Sequence, residues 1–196
     1  MQIVIENAGE STEQSDVLEL IRDTWRDAGI KLFAKPSQLD VFRRRIFSGE
    51  TMMGIDKGIE NGLPIADMPP SEFAPTSQQQ LHWPKWGQWF ETKERAGELP
   101  DLAAAKELRS LYLDWFKTDD GAQQAEIWHK MLKIQADEVF SIGLVAGVLQ
   151  PVVVNNRLRN VPIEGIYNWD PGAFFGIYHP DRFWFAPAEQ KSAQAG

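Results

Sequence analysis

Residues 2–34 read QIVIENAGESTEQSDVLELIRDTWRDAGIKLFA, and this stretch decides the fold class. Gln2 to Glu6 is built on alternating β-branched residues, the pattern of a strand, and Ala8-Gly9 turns the chain. Ser11-Thr12-Glu13-Gln14 has the spacing of a capping box, in which the Ser hydroxyl accepts from an amide of the first turn and Gln14 reaches back. Behind it Val17, Leu18, Leu20, Ile21, Trp25 and Ala28 recur at spacings of three and four, the stripe of an amphipathic helix. Gly29 closes the helix, and Ile30 to Ala34 is a second strand. A strand, a helix and a strand in so short a span favour parallel pairing, because the helical crossover brings the second strand back in the direction of the first.

Downstream, Ser37 to Phe47 reads as a second helix with Leu39, Val41, Phe42 and Ile46 inward, and Ser48-Gly49-Glu50 turns into a short apolar strand at Met52-Met53-Gly54-Ile55. Glu98-Leu99-Pro100 stops the chain before a helix with Asp101 as its N-cap and Leu102, Ala105, Leu108, Leu111, Tyr112 and Trp115 as its stripe. Asp119-Asp120-Gly121 breaks the chain, and Ala125, Ile127, Trp128, Met131, Leu132 and Ile134 carry a further helix to about Glu138. Two helices joined so tightly are expected to pack as an antiparallel pair. Phe140 to Leu149 and Val152 to Asn155 read as strands buried on both faces, split by Gln150-Pro151 and followed by an Asn155-Asn156 turn. Val161 to Phe185 has no clear period, and residues 186–196 are small and polar, a flexible tail. The fold class is α/β: one domain over residues 1–185, a mixed and mostly parallel sheet flanked by helices.

Between the short apolar strand and the later helices lies TMMGIDKGIENGLPIADMPPSEFAPTSQQQLHWPKWGQWF, residues 51–90. It is rich in Gly and Pro and closes on Trp83, Trp86 and Trp89, with Pro84 interrupting any helix over residues 78–90. A long irregular connection in a compact domain is normally functional or disordered, and three Trp so close together argue against disorder. The segment therefore reads as a binding surface. Asn61-Gly62 before Leu63-Pro64 is a turn. Asp56, Lys57, Glu60 and Asn61 would then stand at the carboxyl end of a strand, where open α/β sheets place ligands. Either one or more of Trp83, Trp86 and Trp89 line a ligand cleft, Trp83 and Trp86 being the candidates for ligand contact, or they clamp the loop. Likewise Asp56 and Glu60 are either solvated turn residues or carboxylates that pair a ligand's ammonium.

A formal net charge of −8 and a pI near 4.9 leave no electrostatic footprint for nucleic acid, and Arg43-Arg44-Arg45, the densest basic run, reads as a solvated helix face. The absence of Cys excludes disulfides and thiolate metal sites. Phe140 to Val154, the longest apolar stretch, falls short of a membrane span. His82, His129 and His179 lie dozens of residues apart without metal-ligand spacing, and no GxSxG, Walker or GxGxxG motif is present. No catalytic residue, metal or cofactor is nominated. The enzymatic rival is a hydrolase acting through Asp56, Glu60 or His82; a third reading is an interaction module docking through the Trp loop.

The order of these parts, with TWRDAGIKL (24–32), DVFRRRIFSGE (40–50), AEIWHKMLKIQADEVFSIGL (125–144) and NNRLRNVP (155–162), resembles the C-terminal lobe of bacterial extracellular solute-binding proteins, family 5, the peptide/nickel/oligopeptide class. Those proteins are the periplasmic ligand receptors of ABC importers. The resemblance implies a fragment of a longer chain whose N-terminal lobe is missing. It also implies a peptide or other small solute as ligand, permease subunits as partners, and a monomer. In that family the loop after the strand corresponding to residues 51–55 faces the cleft between lobes, often through a Gly-Trp pair followed by an acidic residue. Here Asp56, Lys57, Gly58, Glu60 and Asn61 stand in that place without the Trp.

Overall fold

The computed structural model describes residues 1–56, 69–145, 151–165 and 178–187. The chain divides into two units, Met1–Gly58 with Ile65–Ile142, and Ile59–Pro64 with Gly143–Gly196.

In the first unit, β1 (Gln2–Ala8), α1 (Thr12–Asp27) and β2 (Lys31–Ser37) form the expected crossover. β1 and β2 pair in parallel, with Val4 beside Phe33 and Ala8 beside Ser37. The apolar run at residues 52–55 joins on the other side of β1 only by a bridge: the Glu6 amide donates to the Met53 carbonyl at 2.9 Å, and the Ile55 amide to the Glu6 carbonyl at 3.0 Å. The third strand is thus reduced to one parallel bridge at Gly54, and β1 is central.

Alternation along β1 divides the unit into layers. Ile5, with Leu32 and Ile55, packs on Leu18 of α1, and Ile3, Val17, Ile21, Trp25 and Met53 surround them. Ala8, beyond the opposite face, meets Phe42 and Ile46 of α2 (Leu39–Ser48). Leu20 and Ala28, expected on the inner stripe of α1, are exposed. Only half of the capping box forms: Ser11 Oγ accepts from the Gln14 amide at 3.2 Å, while Gln14 Oε1 is buried without a hydrogen-bond partner.

α2 is also tied to the sheet by charge. Glu6, buried on β1, receives Arg45 Nε at 2.7 Å and Nη2 at 2.9 Å, with Lys35 Nζ at 3.5 Å; Arg45 Nη1 also donates to Glu50 at 2.9 Å. The Arg45 hydrogen bonds hold the Glu6 carboxyl below its ordinary value, against the opposing effect of burial. A depressed carboxyl adds stability above its unfolded pKa and loses it as pH falls through the folded one. Arg45→Met should therefore lower the urea midpoint at neutral pH, and the gap from the parent should close as pH falls below the ordinary Glu value of 4.5. A gap that is constant down to about pH 3 would show that Arg45 acts only through packing.

The rest of the first unit is helical: α3 (Pro84–Glu91), α4 (Ala103–Trp115) and α5 (Gly121–Glu138). Pro84 does not interrupt α3 but begins it, since the first position of a helix needs no amide donor. Asp101 does not cap α4; Leu102 holds the N-cap position without a side-chain bond. Asp120 caps α5, its carboxylate accepting from the Ala122 amide at 2.9 Å. The short link 116–120 folds α5 back on α4, and Leu108, Trp115, Trp128 and Met131 are buried between them with Phe73 and Ala74.

In the second unit Asn155 turns the chain, its side chain accepting from the Arg157 amide at 2.9 Å, into β3 (Leu158–Arg159), which pairs antiparallel with β4 (Trp184–Phe185). The described residues 140–145 and 151–155 are not the expected buried strands: they carry no strand pairing, and most of them are exposed. A strand buried on both faces needs neighbours on both edges, and among the described residues none is supplied. Residues 146–150 and most of the tail lie outside the described residues.

Candidate functional site

The parallel strands end together, and their carboxyl ends collect the polar groups that are not spent on the core. Gly9 and Glu10 after β1, with Pro36, Ser37 and Gln38 at the end of β2, line an open depression of about 320 Å³. Glu10 Oε1 accepts from the Leu39 amide at 3.1 Å and so occupies the amino end of α2. Asn7 is wholly buried next to this edge; its Nδ2 donates to the Ala8 carbonyl at 3.3 Å, and its Oδ1 has no partner. On the far side of β1 the chain leaves the Gly54 bridge, buries Ile55, and presents Asp56 to solvent. Lys57, Gly58, Glu60 and Asn61 lie outside the described residues, so of the carboxyl-end group only Asp56 is placed.

The tryptophans part company. Trp83 is 4% exposed, packs with Phe73, Leu108, Trp128 and Met131, meets Phe140 edge-on at 5.3 Å, and donates its indole N–H to Gln80 Oε1 at 2.9 Å. Both its apolar faces and its polar tip are engaged within the fold. It clamps the loop, and the cleft-lining role held open for it is corrected on that ground. Trp86 is half-buried against the same cluster, while Trp89 lies under the Arg109 guanidinium at 4.9 Å.

The loop's anchor is a residue with no periodic signal. Gln80 Oε1 accepts from the Thr76 amide at 3.0 Å, the Ser77 amide at 3.3 Å and the Trp83 indole, while Nε2 donates to the Ser71 carbonyl at 2.6 Å and to Thr76 Oγ1 at 3.2 Å. Gln135 of α5 donates to the Phe73 carbonyl at 2.9 Å and pins the same segment from below. Sequence reading missed Gln80, Gln135, Glu6 and Glu10 alike; a lone Gln or Glu amid polar neighbours gives no spacing from which its partners follow.

His82 stacks on Trp83 at 5.2 Å between centroids and makes no hydrogen bond to a carboxylate among the described residues. Although the residue is exposed, the crowding of its ring lowers its pKa through lost hydration. Arg43 and Arg44 are exposed, as a solvated face would be, and only Arg45 departs from that reading. Among the described residues no group of three or more His, Asp or Glu is placed to hold a metal ion, and no helix is long and apolar enough to cross a membrane.

No family model matches the sequence, and no curated protein matches it significantly. Solved structures do. The oligopeptide-binding protein OppA matches with a TM-score of 0.63 at 20% identity, over 82% of this chain and 27% of its own. The periplasmic binding protein MelB of Agrobacterium fabrum C58, solved in complex with stachyose, matches with a TM-score of 0.65 at 14% identity, over 98% of this chain and 27% of its own. Both are named as binding proteins, and this chain spans about a quarter of the length of each. At such identities the likeness speaks to architecture: the chain has an α/β fold shared with part of a periplasmic binding protein, a small parallel sheet set among helices.

Proposed function

We propose that residues 1–185 are the C-terminal lobe of an extracellular solute-binding protein of family 5, with residues 186–196 a flexible tail, and that the whole receptor delivers a solute from the periplasm to an ABC permease. The observation that carries this reading is the parallel β1–β2 sheet whose carboxyl edge exposes Asp56, in a fold matched by two binding proteins. Two lobes closing on a solute enclose most of its surface, and closure is the signal a permease can sense. Asp56 pairs the ammonium of a peptide-like solute, and Lys57, Gly58, Glu60 and Asn61, which follow it in the sequence, are its proposed companions as ligand contacts. Trp86, half-buried on α3, is proposed to offer the solute apolar surface, and Trp83 holds the loop in place.

A charge-assisted contact is worth roughly 1.5–3 kcal/mol and each tenfold in affinity about 1.4 kcal/mol. In the complete receptor, Asp56→Asn should therefore weaken peptide binding by about 10- to 100-fold in calorimetry, without loss of folding because Asp56 is exposed. The isolated 196-residue chain, owning one wall, should bind weakly or not at all; submicromolar binding by it would overturn the lobe reading. The MelB–stachyose match, at a TM-score of 0.65 against 0.63 for OppA, makes an oligosaccharide the second reading. A sugar offers no ammonium, so Asp56→Asn would then cost only the difference between a charge-assisted and a neutral hydrogen bond, about 1 kcal/mol or roughly fivefold in affinity.

A further inference from the structure

β2 is the outer strand of its sheet: it pairs with β1 on one side and with nothing on the other among the described residues. The two ends of the ladder fix which main-chain groups are free. The Lys31 amide donates to the Met1 carbonyl at 2.9 Å, and the Ser37 carbonyl accepts from the Gly9 amide at 2.7 Å. Lys31, Phe33, Lys35 and Ser37 therefore turn their main chain to β1, and alternation turns the amides of Leu32 and Ala34 and the carbonyls of Leu32, Ala34 and Pro36 to the open edge. Pro36 fits this assignment, because its missing amide hydrogen falls on the open side. Side chains on one face of the strand make a pattern of their own. Phe33 is 41% exposed beside Val4, its partner in register, and the exposed Lys31 and Lys35 flank it. Lys31 Nζ lies 5.0 Å from the Phe33 ring centroid and forms no ion pair among the described residues, while Lys35 Nζ is 3.5 Å from Glu6.

We infer that this edge docks an extended acidic segment of a partner protein, which adds a strand to β2. Charge complementarity selects the partner. In a chain whose formal net charge is −8, β2 carries two lysines and no carboxylate, so an acidic segment repelled by the chain in general is drawn here. Main-chain bonds to Leu32, Ala34 and Pro36 would supply affinity, and alternate side chains would supply specificity. A carboxylate, an apolar group and a carboxylate at every second position match Lys31, Phe33 and Lys35. The chain reaches Asp56 from a bridge on the other side of β1, so this surface stands apart from the receptor reading.

Fluorescence anisotropy of a labelled peptide, Glu-Thr-Val-Thr-Glu, against the 196-residue chain tests it. The peptide should bind saturably with a dissociation constant below about 1 mM, and its counterpart Lys-Thr-Val-Thr-Lys at least about tenfold more weakly. Lys31→Glu, at an exposed side chain, and Ala34→Pro, which removes an outward amide and leaves the bonds to β1, should each weaken binding by about tenfold or more. Lys106→Glu, the same charge change at an exposed position of α4, should leave it within about twofold. Circular dichroism checks folding, and a peptide N-methylated at alternate amides replaces Ala34→Pro should that variant not fold. Absence of saturable binding, equal affinity for the two peptides, indifference to Lys31→Glu or to the blocked main chain, or an equal loss in Lys106→Glu would each overturn the inference.

Discussion

Gly87→Ala should destabilise the chain by about 3 kcal/mol or more and lower its Tm by roughly 10 °C, the largest single-methyl effect expected here. Gly87 sits within α3, buried, and its amide donates to the Trp83 carbonyl at 2.9 Å. A Cβ at this position would land inside contact distance of the Ser77 carbonyl and of the Ser77 carbonyl carbon, with the Ser77 amide nitrogen at 3.0 Å. A flexible side chain could swing away from a new methyl; a backbone carbonyl held in a bonded loop cannot. Ser77 is so held, because its amide donates to Gln80 Oε1 at 3.3 Å and its carbonyl accepts from the Gln80 amide at 3.2 Å. Helix propensity alone predicts the opposite sign, a gain of up to about 1 kcal/mol from Gly to Ala in a helix interior. Differential scanning calorimetry of the parent and Gly87→Ala therefore separates two accounts of α3. An unchanged or raised Tm would mean that the loop does not lie against the helix as described.

Much of the first unit was legible because its elements announce themselves by period. The β1–α1–β2 crossover follows from Ile3 and Ile5 alternating with polar neighbours and from Val17, Leu18, Ile21 and Trp25 recurring at helical spacing, and the structure pairs those strands in parallel. The α4–α5 pair was legible for the same reason, with Asp120 and Gly121 marking the break. What failed were residues with two physical meanings. Proline both stops a helix and starts one, so Pro84 read as an interruption and proved to be the first residue of α3. Tryptophan is both the best wall for a ligand and the largest filler of a core, and nothing in its spacing says which, so the reading left both roles open; the structure gives Trp83 the core and leaves Trp86 half-buried. Phe140–Leu149 and Val152–Asn155 have the composition of buried strands, yet composition cannot supply the neighbours such strands require, and the described residues 140–145 and 152–155 pair with none. Of the candidate site only the position of Asp56 could be compared: it follows the bridged strand at the carboxyl edge of the sheet, while Glu10 and the Gln80 bonds depend on loop conformations that no period encodes.

Gln80 carries the second large effect. Its side chain is 7% exposed and makes five hydrogen bonds, four of them to groups of the loop 71–77 and one to Trp83. Gln80→Leu keeps roughly the volume and removes every bond. The Thr76 and Ser77 amides and the Trp83 indole would then be buried or half-buried without partners, at about 1–3 kcal/mol for each unsatisfied group, while the Ser71 carbonyl would still accept from Thr76 Oγ1 at 3.0 Å. Contributions within one network do not add, so the whole should cost about 3–4 kcal/mol, read as a lower urea midpoint at unchanged m. Trp83→Phe removes one donor while keeping an aromatic ring against Phe73 and Phe140, and alone should cost about 1–2 kcal/mol. The double variant decides between a network and independent packing. If the indole N–H is held by Gln80, then Gln80→Leu orphans one group fewer in the Trp83→Phe background, and the double variant should be more stable than the sum of the singles predicts by about 1 kcal/mol. Strict additivity would mean that Gln80 steadies the loop through its backbone bonds to residues 71–77 alone. That would leave Trp83 as core filling, and the ordering of the segment beside Trp86 would have to come from Gln135 and α5 instead.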